Sequence, residues 1–263
     1  MRLKEKLEDQ IYLYENVLDD PKRLVELLEE LDNDPSTHAA IPEWSFWFSN
    51  TKDGHSFGSK KDFEIPGLEG LESDRKEDVE WIINQVRGGI EKCARSYYKD
   101  RGFEEEPNIS PFAGVMKYRP GCSMGAHFDA QSGDRTLKYS IIIYVNDDYE
   151  GGELSFIVRP YDLRNPKNHH LRPTDDANDP ENKELTDFIY TPKAGEALVF
   201  PSTHPYKHQV HVVKSGDKYM IPGFCFVPEF DANDQDMKRE YNQGGMYEDA
   251  NENIRYMDEE YED

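Results

Sequence analysis

Three things are scarce in this 263-residue chain. There are only three cysteines, Cys93, Cys122 and Cys225. They are odd in number and widely spaced, which excludes a disulfide framework and points to a reduced, intracellular setting. Positive charge is scarce as well: 31 Lys and Arg stand against 54 Asp and Glu, for a formal net charge of −23. That balance argues against a nucleic-acid partner held through its phosphate backbone, which needs basic surface. Long apolar runs are missing too. The opening "MRLKEKLEDQ" has no stretch of signal-peptide length, and no later segment approaches the ~20 apolar residues of a membrane span. The expectation is a soluble, cytoplasmic protein without a membrane partner. No internal repeat or Gly/Ser linker divides it, and its length allows one domain of roughly 200–250 residues or two smaller ones.

What is present changes character along the chain. "IYLYENV" reads as a short strand. Asp20 then stands ready to N-cap a helix with Pro21 at its first position, and Leu24, Val25, Leu27, Leu28 and Leu31 form its apolar stripe. "WSFWF", residues 45–49, reads as a buried strand or a packed aromatic loop. A second helix is expected from about Lys76 to Tyr98, with Val79, Ile82, Ile83, Val86, Ile90 and Cys93 on one face. From residue 108 onward the runs are short and rich in β-branched and aromatic residues: "FAGVMKY", "TLKYSIIIYVN", "GELSFIV", "DFIYT", "EALVF", "QVHVV" and "KYMIPGFCFV". Gly, Pro, Asn and Asp separate them, the pattern of a sandwich, barrel or jelly roll. The fold class is therefore α+β and mainly β. Residues 159–186 are polar and long for a loop, which suits a lid or a disordered segment. Residues 231–263 carry 12 acidic and 3 basic residues, the composition of a solvated tail.

Two stretches carry candidate chemistry. In "GAHFDAQ", His127 and Asp129 would share a face if the segment is a strand. With a distant histidine they would make the two-histidine, one-carboxylate set that holds Fe(II) and leaves three positions open. H-x-D alone is a weak signal. The second stretch, "STHPYKHQVHVVKSGDK", holds three histidines. His204 precedes a proline and belongs to a loop. His208 shares the more apolar strand face with Val210 and Val212, so it points inward, while His211 points outward. A three-residue hairpin loop, Lys214-Ser215-Gly216, would place Gly216 in the left-handed position and pair Val212 with Lys218. Lys218 would then lie on the face of His208, where a buried lysine is costly unless it meets an anion.

With these residues in place, positions 114–227 resemble the Fe(II)/2-oxoglutarate-dependent dioxygenases, and most of all their prolyl 4-hydroxylase branch. The resemblance rests on "KYRPGCSMGAHFDA", "RTLKYSIIIYVNDDYEGGELSF", "PKAGEALVFPS" and "HQVHVVKSGDKY". It implies a double-stranded β-helix (jelly-roll) core at 108–230 within a dioxygenase domain at 1–230, with an N-terminal strand and helices at 1–107. It implies His127, Asp129 and His208 as iron ligands. It also implies that Lys218, assisted by Tyr144 and Tyr118, binds 2-oxoglutarate. The implied cofactors are Fe(II), 2-oxoglutarate and O2, with ascorbate a further candidate. The implied reaction is hydroxylation of an unactivated C–H, with 2-oxoglutarate converted to succinate and CO2. Met124 and Phe224 depart from the family's usual aromatic residue and tryptophan, and the 159–186 insertion is longer than in compact members. These departures touch the substrate and leave the metal set alone. A prolyl residue in a peptide or protein is the leading substrate. A free amino acid, another small molecule or a nucleobase is the alternative. A non-enzymatic jelly-roll binding module that has lost its chemistry is one competing class, against which all three ligands and the lysine are present; a zinc hydrolase is another, and it would not need Lys218 or Tyr144. The sequence leaves the oligomeric state open.

Overall fold

The computed structural model describes residues 1–47, 57–60, 75–111, 113–130, 136–157, 186–203 and 205–228. The expected 231–263 tail, the 159–186 insertion apart from its last residue Thr186, His204 and the end of the "WSFWF" segment lie outside the described residues.

The N-terminal part contributes strands β1 (Arg2–Glu8) and β2 (Ile11–Glu15), helix α1 (Pro21–Leu31), strands β3 (Ser45–Trp47) and β4 (Phe57–Lys60), and helix α2 (Lys76–Arg101). Then come β5 (Asn108–Ile109), β6 (Val115–Tyr118), β7 (Met124–His127), β8 (Leu137–Tyr144), β9 (Glu150–Gly151), β10 (Leu154–Ile157) and β11 (Phe188–Tyr190). The series ends with β12 (Ala197–Pro201), β13 (Lys207–Val210), β14 (Val213–Ser215) and β15 (Lys218–Phe226). A large sheet runs in the order β1-β2-β12-β8-β15-β6-β4-β3, with β5 on β15, and a smaller sheet runs β11-β10-β13-β7. From β6 onward the chain keeps switching sheets: β6 large, β7 small, β8 large, β10 and β11 small, β12 large, β13 small, β15 large. Two antiparallel sheets wound in this way form the expected jelly roll.

Strand periodicity assigns each side chain to one of two cores. Tyr12 and Tyr14 of β2, Tyr139, Ile141 and Ile143 of β8, Ala197 and Val199 of β12, and Tyr219 and Ile221 of β15 pack against the helices. Their neighbours Ile11, Leu13, Ile142, Tyr144, Leu198, Phe200 and Met220 face the smaller sheet. Both helices behave as their sequences direct. Asp20 caps α1 by accepting from the Arg23 N–H at 3.0 Å, with Pro21 at the first position. The α2 helix has Glu77 and Asp78 in its first turn and Lys99 and Arg101 in its last, which suits the helix dipole. It ends on Gly102 at φ 75°. Its expected apolar face is buried in full. Where α2 crosses the sheet, Gly223 lets Ile90 approach so closely that a Cβ there would lie 2.8 Å from its side chain.

Three details differ from the sequence reading. "RLKEKLE" forms the edge strand β1, although its charges hide any strand pattern; its pairing with β2 supplies the register. The segment 207–218 is not a hairpin. β13 pairs with β10 and β7 in the small sheet, β14 pairs with β9, and β15 pairs with β6 and β8 in the large sheet. Gly216 does adopt the left-handed conformation at φ 73°, because the Tyr149 backbone passes where a side chain would stand. Finally, β13 stops at Val210. His211 is fully buried rather than turned outward, and its N–H donates to the Glu153 carbonyl at 2.9 Å.

Candidate active site

β7 and β13 are neighbours in the small sheet, and their register sets His127 opposite His208. The two imidazoles lie with ring centroids 4.4 Å apart. Asp129 follows just beyond the end of β7 rather than on it, and turns its carboxylate between them. Its Oδ1 is 3.5 Å from His127 Nε2 and its Oδ2 is 3.6 Å from His208 Nε2. All three ligand atoms fall within 4.8 Å of one another. Among the described residues this is the only such cluster of histidine, cysteine and carboxylate side chains. His211 is outside it.

The imidazole orientation is fixed from behind. His127 Nδ1 bonds the Gly125 carbonyl at 2.8 Å, and His208 Nδ1 bonds the Tyr206 carbonyl at 3.3 Å. A carbonyl can only accept, so each Nδ1 carries the proton and each Nε2 presents a lone pair to the centre. This is the usual way a protein selects the ligating tautomer. Burial pushes the His208 pKa down to about 4, with only partial opposition from Asp129, so this imidazole is neutral near pH 7. Burial works against the Asp129 anion, but the facing histidines and the Ser140 hydroxyl outweigh it, and the carboxyl stays well below its ordinary range. Burial works against a charged His127, but the neighbouring Asp129 carboxylate outweighs it and raises the His127 pKa above its ordinary value; with both imidazoles deprotonated on binding, two nitrogens and one ionised oxygen form a suitable donor set for Fe(II). The His208 side chain is 3% exposed, packed against the rings of Phe156 and Phe200, whereas those of His127 and Asp129 are 29% and 17% exposed. The cluster is therefore open to solvent on the side of His127 and Asp129.

The second half of the site comes from the large sheet. Lys218 starts β15 with the same parity as Met220 and so points between the sheets. It is completely buried. Its Nζ donates to the Gly152 carbonyl at 2.6 Å and lies 5.6, 5.3 and 5.8 Å from the ring centroids of Tyr118, Tyr144 and Tyr149. Tyr118 is its cross-strand partner. Burial lowers the Lys218 pKa to about 7, with Glu153 opposing it. The buried hydroxyls of Tyr144 and Tyr149 have no hydrogen-bond partner among the described residues. A buried ammonium that no carboxylate of the described residues contacts, beside two hydroxyls without a partner among those residues, is costly in isolation. A carboxylate placed there would satisfy all three. The distal carboxylate of 2-oxoglutarate fits that requirement.

The structure thus brings together all six residues that the sequence singled out. It adds Tyr149, which had no strand parity to reveal it, because it lies in the turn before the double glycine. Gly151 and Gly152 both have positive φ, 77° and 66°. A Cβ on Gly151 would sit 2.2 Å from the Val212 carbonyl oxygen, and one on Gly152 would press on Lys218. Glycine at both positions lets this turn close over the lysine.

Residues 113–226 match the family model of the 2OG-Fe(II) oxygenase superfamily. This matched segment contains every residue of the site, and the residues of the site fit the Fe(II), 2-oxoglutarate and O2 of that superfamily. Among solved structures the chain is similar to a viral collagen prolyl hydroxylase of Paramecium bursaria Chlorella virus-1, with 16% identity, 83% of this chain and 97% of that one covered, and a TM-score of 0.46. It is also similar to a prolyl hydroxylase of Trichoplax adhaerens solved with a hypoxia inducible factor peptide, with 15% identity, coverage of 83% and 84%, and a TM-score of 0.47. For a Pseudomonas putida prolyl-4-hydroxylase the values are 12% identity, coverage of 82% and 92%, and a TM-score of 0.45. No curated protein matches the chain significantly. Among the described residues, no helix is long and apolar enough to cross a membrane.

Proposed function

We propose that the chain is an Fe(II)/2-oxoglutarate-dependent hydroxylase acting on an unactivated C–H, with a prolyl residue of a peptide or protein as its substrate. The observation that carries this reading is the pairing of two half-sites across the jelly roll. One is an open His-Asp-His cluster on the small sheet, and the other is a buried lysine on the large sheet that no carboxylate of the described residues contacts. A zinc hydrolase or a binding module would need only the first. The prolyl assignment draws support from the motifs around these residues, with lysine rather than arginine at position 218.

In this reading His127, Asp129 and His208 hold the metal, and Lys218 with Tyr144 anchors the distal carboxylate of 2-oxoglutarate. When bound, iron, 2-oxoglutarate and O2 supply the difficult chemistry, oxidative decarboxylation to succinate and CO2 and transfer of hydroxyl to carbon. The chain's own share is orientation. Phe156, Phe200 and Tyr118 keep water from the inner wall. The exposed edges of His127 and Asp129 leave the mouth for the substrate. We assign residues 1–230 to one domain, since β1 and β2 extend the large sheet and both helices share its core. The three free, buried cysteines suit a reducing, cytoplasmic location, and ascorbate is the reductant proposed to maintain Fe(II). The test is succinate formation with Fe(II) across a library of proline-containing peptides, read together with a +16 Da shift on the peptide. Succinate without any hydroxylated peptide would remove the prolyl assignment and keep the cofactor chemistry.

A further inference from the structure

The segment that leaves β8 carries much of what surrounds the Lys218 amine. Tyr144 and Tyr149 lie with ring centroids 5.3 and 5.8 Å from Nζ, and the Gly152 carbonyl accepts its hydrogen bond at 2.6 Å. Asn146 stands within this segment, half-buried, two residues past the end of β8 at Tyr144. Its side chain uses both the carbonyl and the amide hydrogens. Oδ1 accepts from the Tyr219 N–H at 2.7 Å. Nδ2 donates to the Asp217 carbonyl at 2.8 Å and to Asp148 Oδ1 at 2.6 Å. A backbone N–H only donates and a carbonyl only accepts, so these partners fix which way round the amide stands. The two backbone groups it grips flank Lys218 on either side.

A side chain here continues a strand ladder. β8 pairs with β15 as far as Tyr144 opposite Met220, and the Val145 N–H still reaches the Tyr219 carbonyl at 3.0 Å. From there a carboxamide, which has the donor and acceptor of a peptide unit, takes the place of backbone. Two further contacts hold the same place. The Asp217 carboxylate pairs with Lys117 at 3.2 Å, and Lys117 also meets Glu29 of α1 at 2.9 Å. Gly216 lacks a Cβ that would lie 2.9 Å from the Asp148 carbonyl oxygen. Segments 146–149 and 216–219 are thus seated against each other, and the Asn146 amide joins them on both sides of the lysine.

We propose that Asn146 is a positioning residue for the cosubstrate. Its amide sets the separation of Lys218 from Tyr144, Tyr149 and Gly152, and with it the length of 2-oxo diacid that the pocket accepts. This role rests on the oxygenase reading above for its ligand. A lysine side chain is flexible by itself. Here the Gly152 carbonyl and the surrounding rings hold its end, while Asn146 holds its root through Asp217 and Tyr219. The ammonium therefore keeps one place, and the acid must match it. Asn146 acts only through these neighbours.

The test compares wild type with Asn146→Ala and the isosteric Asn146→Asp, which keeps an acceptor for Tyr219 and loses the donors. Two readouts are taken on the full chain. The first uses no cosubstrate: the rate at which acetic anhydride acylates Lys218, mapped by mass spectrometry. The second is calorimetry under nitrogen with Fe(II) and either 2-oxoglutarate or 2-oxoadipate, which is one methylene longer. In wild type Lys218 is expected to resist acylation. Wild type should also bind 2-oxoglutarate about tenfold or more tighter than 2-oxoadipate, the usual effect of one methylene in a fitted site. Both variants are expected to acylate Lys218 several-fold faster, to bind 2-oxoglutarate several-fold more weakly and to narrow that preference, with Fe(II) affinity unchanged. Asp20→Ala, which uncaps α1, is expected to lower the melting temperature and leave both readouts as in wild type. Acylation rates, 2-oxoglutarate affinity or chain-length preference that stay at wild-type values in both variants would overturn the role. So would a parallel loss of Fe(II) affinity, the mark of general loosening. Binding of Fe(II) but of neither acid by wild type would sink the oxygenase reading instead, and the acylation rates would still decide whether Asn146 positions Lys218.

Discussion

Lys218 opens β15 and Gly152 lies in the turn between β9 and β10, and the lysine ammonium donates to the glycine carbonyl at 2.6 Å. One of its three hydrogens is used there. Among the described residues no carboxylate touches the others, and three tyrosine rings keep water away. The lysine is held in place before any anion arrives, so little ordering remains to be done on binding.

Replacing that ammonium with an isosteric apolar chain should therefore act on 2-oxoglutarate and not on the metal. Lys218→Met is expected to weaken 2-oxoglutarate by about 2–5 kcal/mol, roughly 30-fold or more in Kd, because the incoming carboxylate is left unpaired. Fe(II) affinity should change little. Titration calorimetry under nitrogen reads both quantities. Unchanged 2-oxoglutarate affinity would remove Lys218 from the anchoring role.

The same group sets a pH dependence. Burial holds Lys218 at about 7, against 10.5 in the unfolded chain. Between those values the unfolded state binds more protons, so this group adds stability as pH rises through the window, and its penalty is fully present below about 7. The anion needs the charged form, so 2-oxoglutarate affinity should run the other way and fall as pH rises above about 7. Thermal melts with and without 2-oxoglutarate from pH 6 to 9 should show the ligand's stabilisation shrinking with pH. A pH-independent increment would contradict a titrating Lys218.

Tyr144→Phe removes a hydroxyl that has no partner among the described residues. Stability should hold or rise slightly, while 2-oxoglutarate binding loses about 1 kcal/mol, the value of one neutral hydrogen bond. A clear loss of stability with unchanged binding would mean that the hydroxyl is structural.

The double-glycine turn gives a backbone test. Gly151→Ala combines positive φ with a 2.2 Å approach to the Val212 carbonyl, and should cost more than about 2 kcal/mol. Gly88→Ala, mid-helix with open space around it, should stabilise by about 0.5–1 kcal/mol. Denaturant melts decide both.

Where the sequence was legible, local chemistry had one solution. Asp20 followed by Pro21 could only start a helix, and the alternation of "IYLYE", "YSIIIY" and "ALVF" fixed two faces per strand. His208 was placed inward by that same parity. Lys218 came to the right interior by the wrong route, since a hairpin was assumed where the chain crosses between sheets, and no local pattern distinguishes the two. His211 was misplaced because strand parity was carried one residue past the end of β13. Asp129 stands beyond β7 for a similar reason. Tyr149 was invisible, because its meaning lies in its approach to Lys218, far away in sequence.

His208 and His211 offer a direct contrast, both buried and three residues apart. His208→Ala should abolish Fe(II) binding. His211→Ala should lower the melting temperature, as loss of a buried side chain does, yet retain metal affinity within a few-fold. Metal titration of the folded fraction separates the two effects.

The most direct test of the central claim, one iron centre coupled to one 2-oxoglutarate site, is the release of succinate and CO2 from 2-oxoglutarate by the purified chain. Wild type with Fe(II) and O2 should give equal amounts of the two products. Wild type with Zn(II), and Asp129→Ala with Fe(II), should give none. Absence of succinate from the iron-loaded wild type, or its survival in Asp129→Ala, would contradict the assignment.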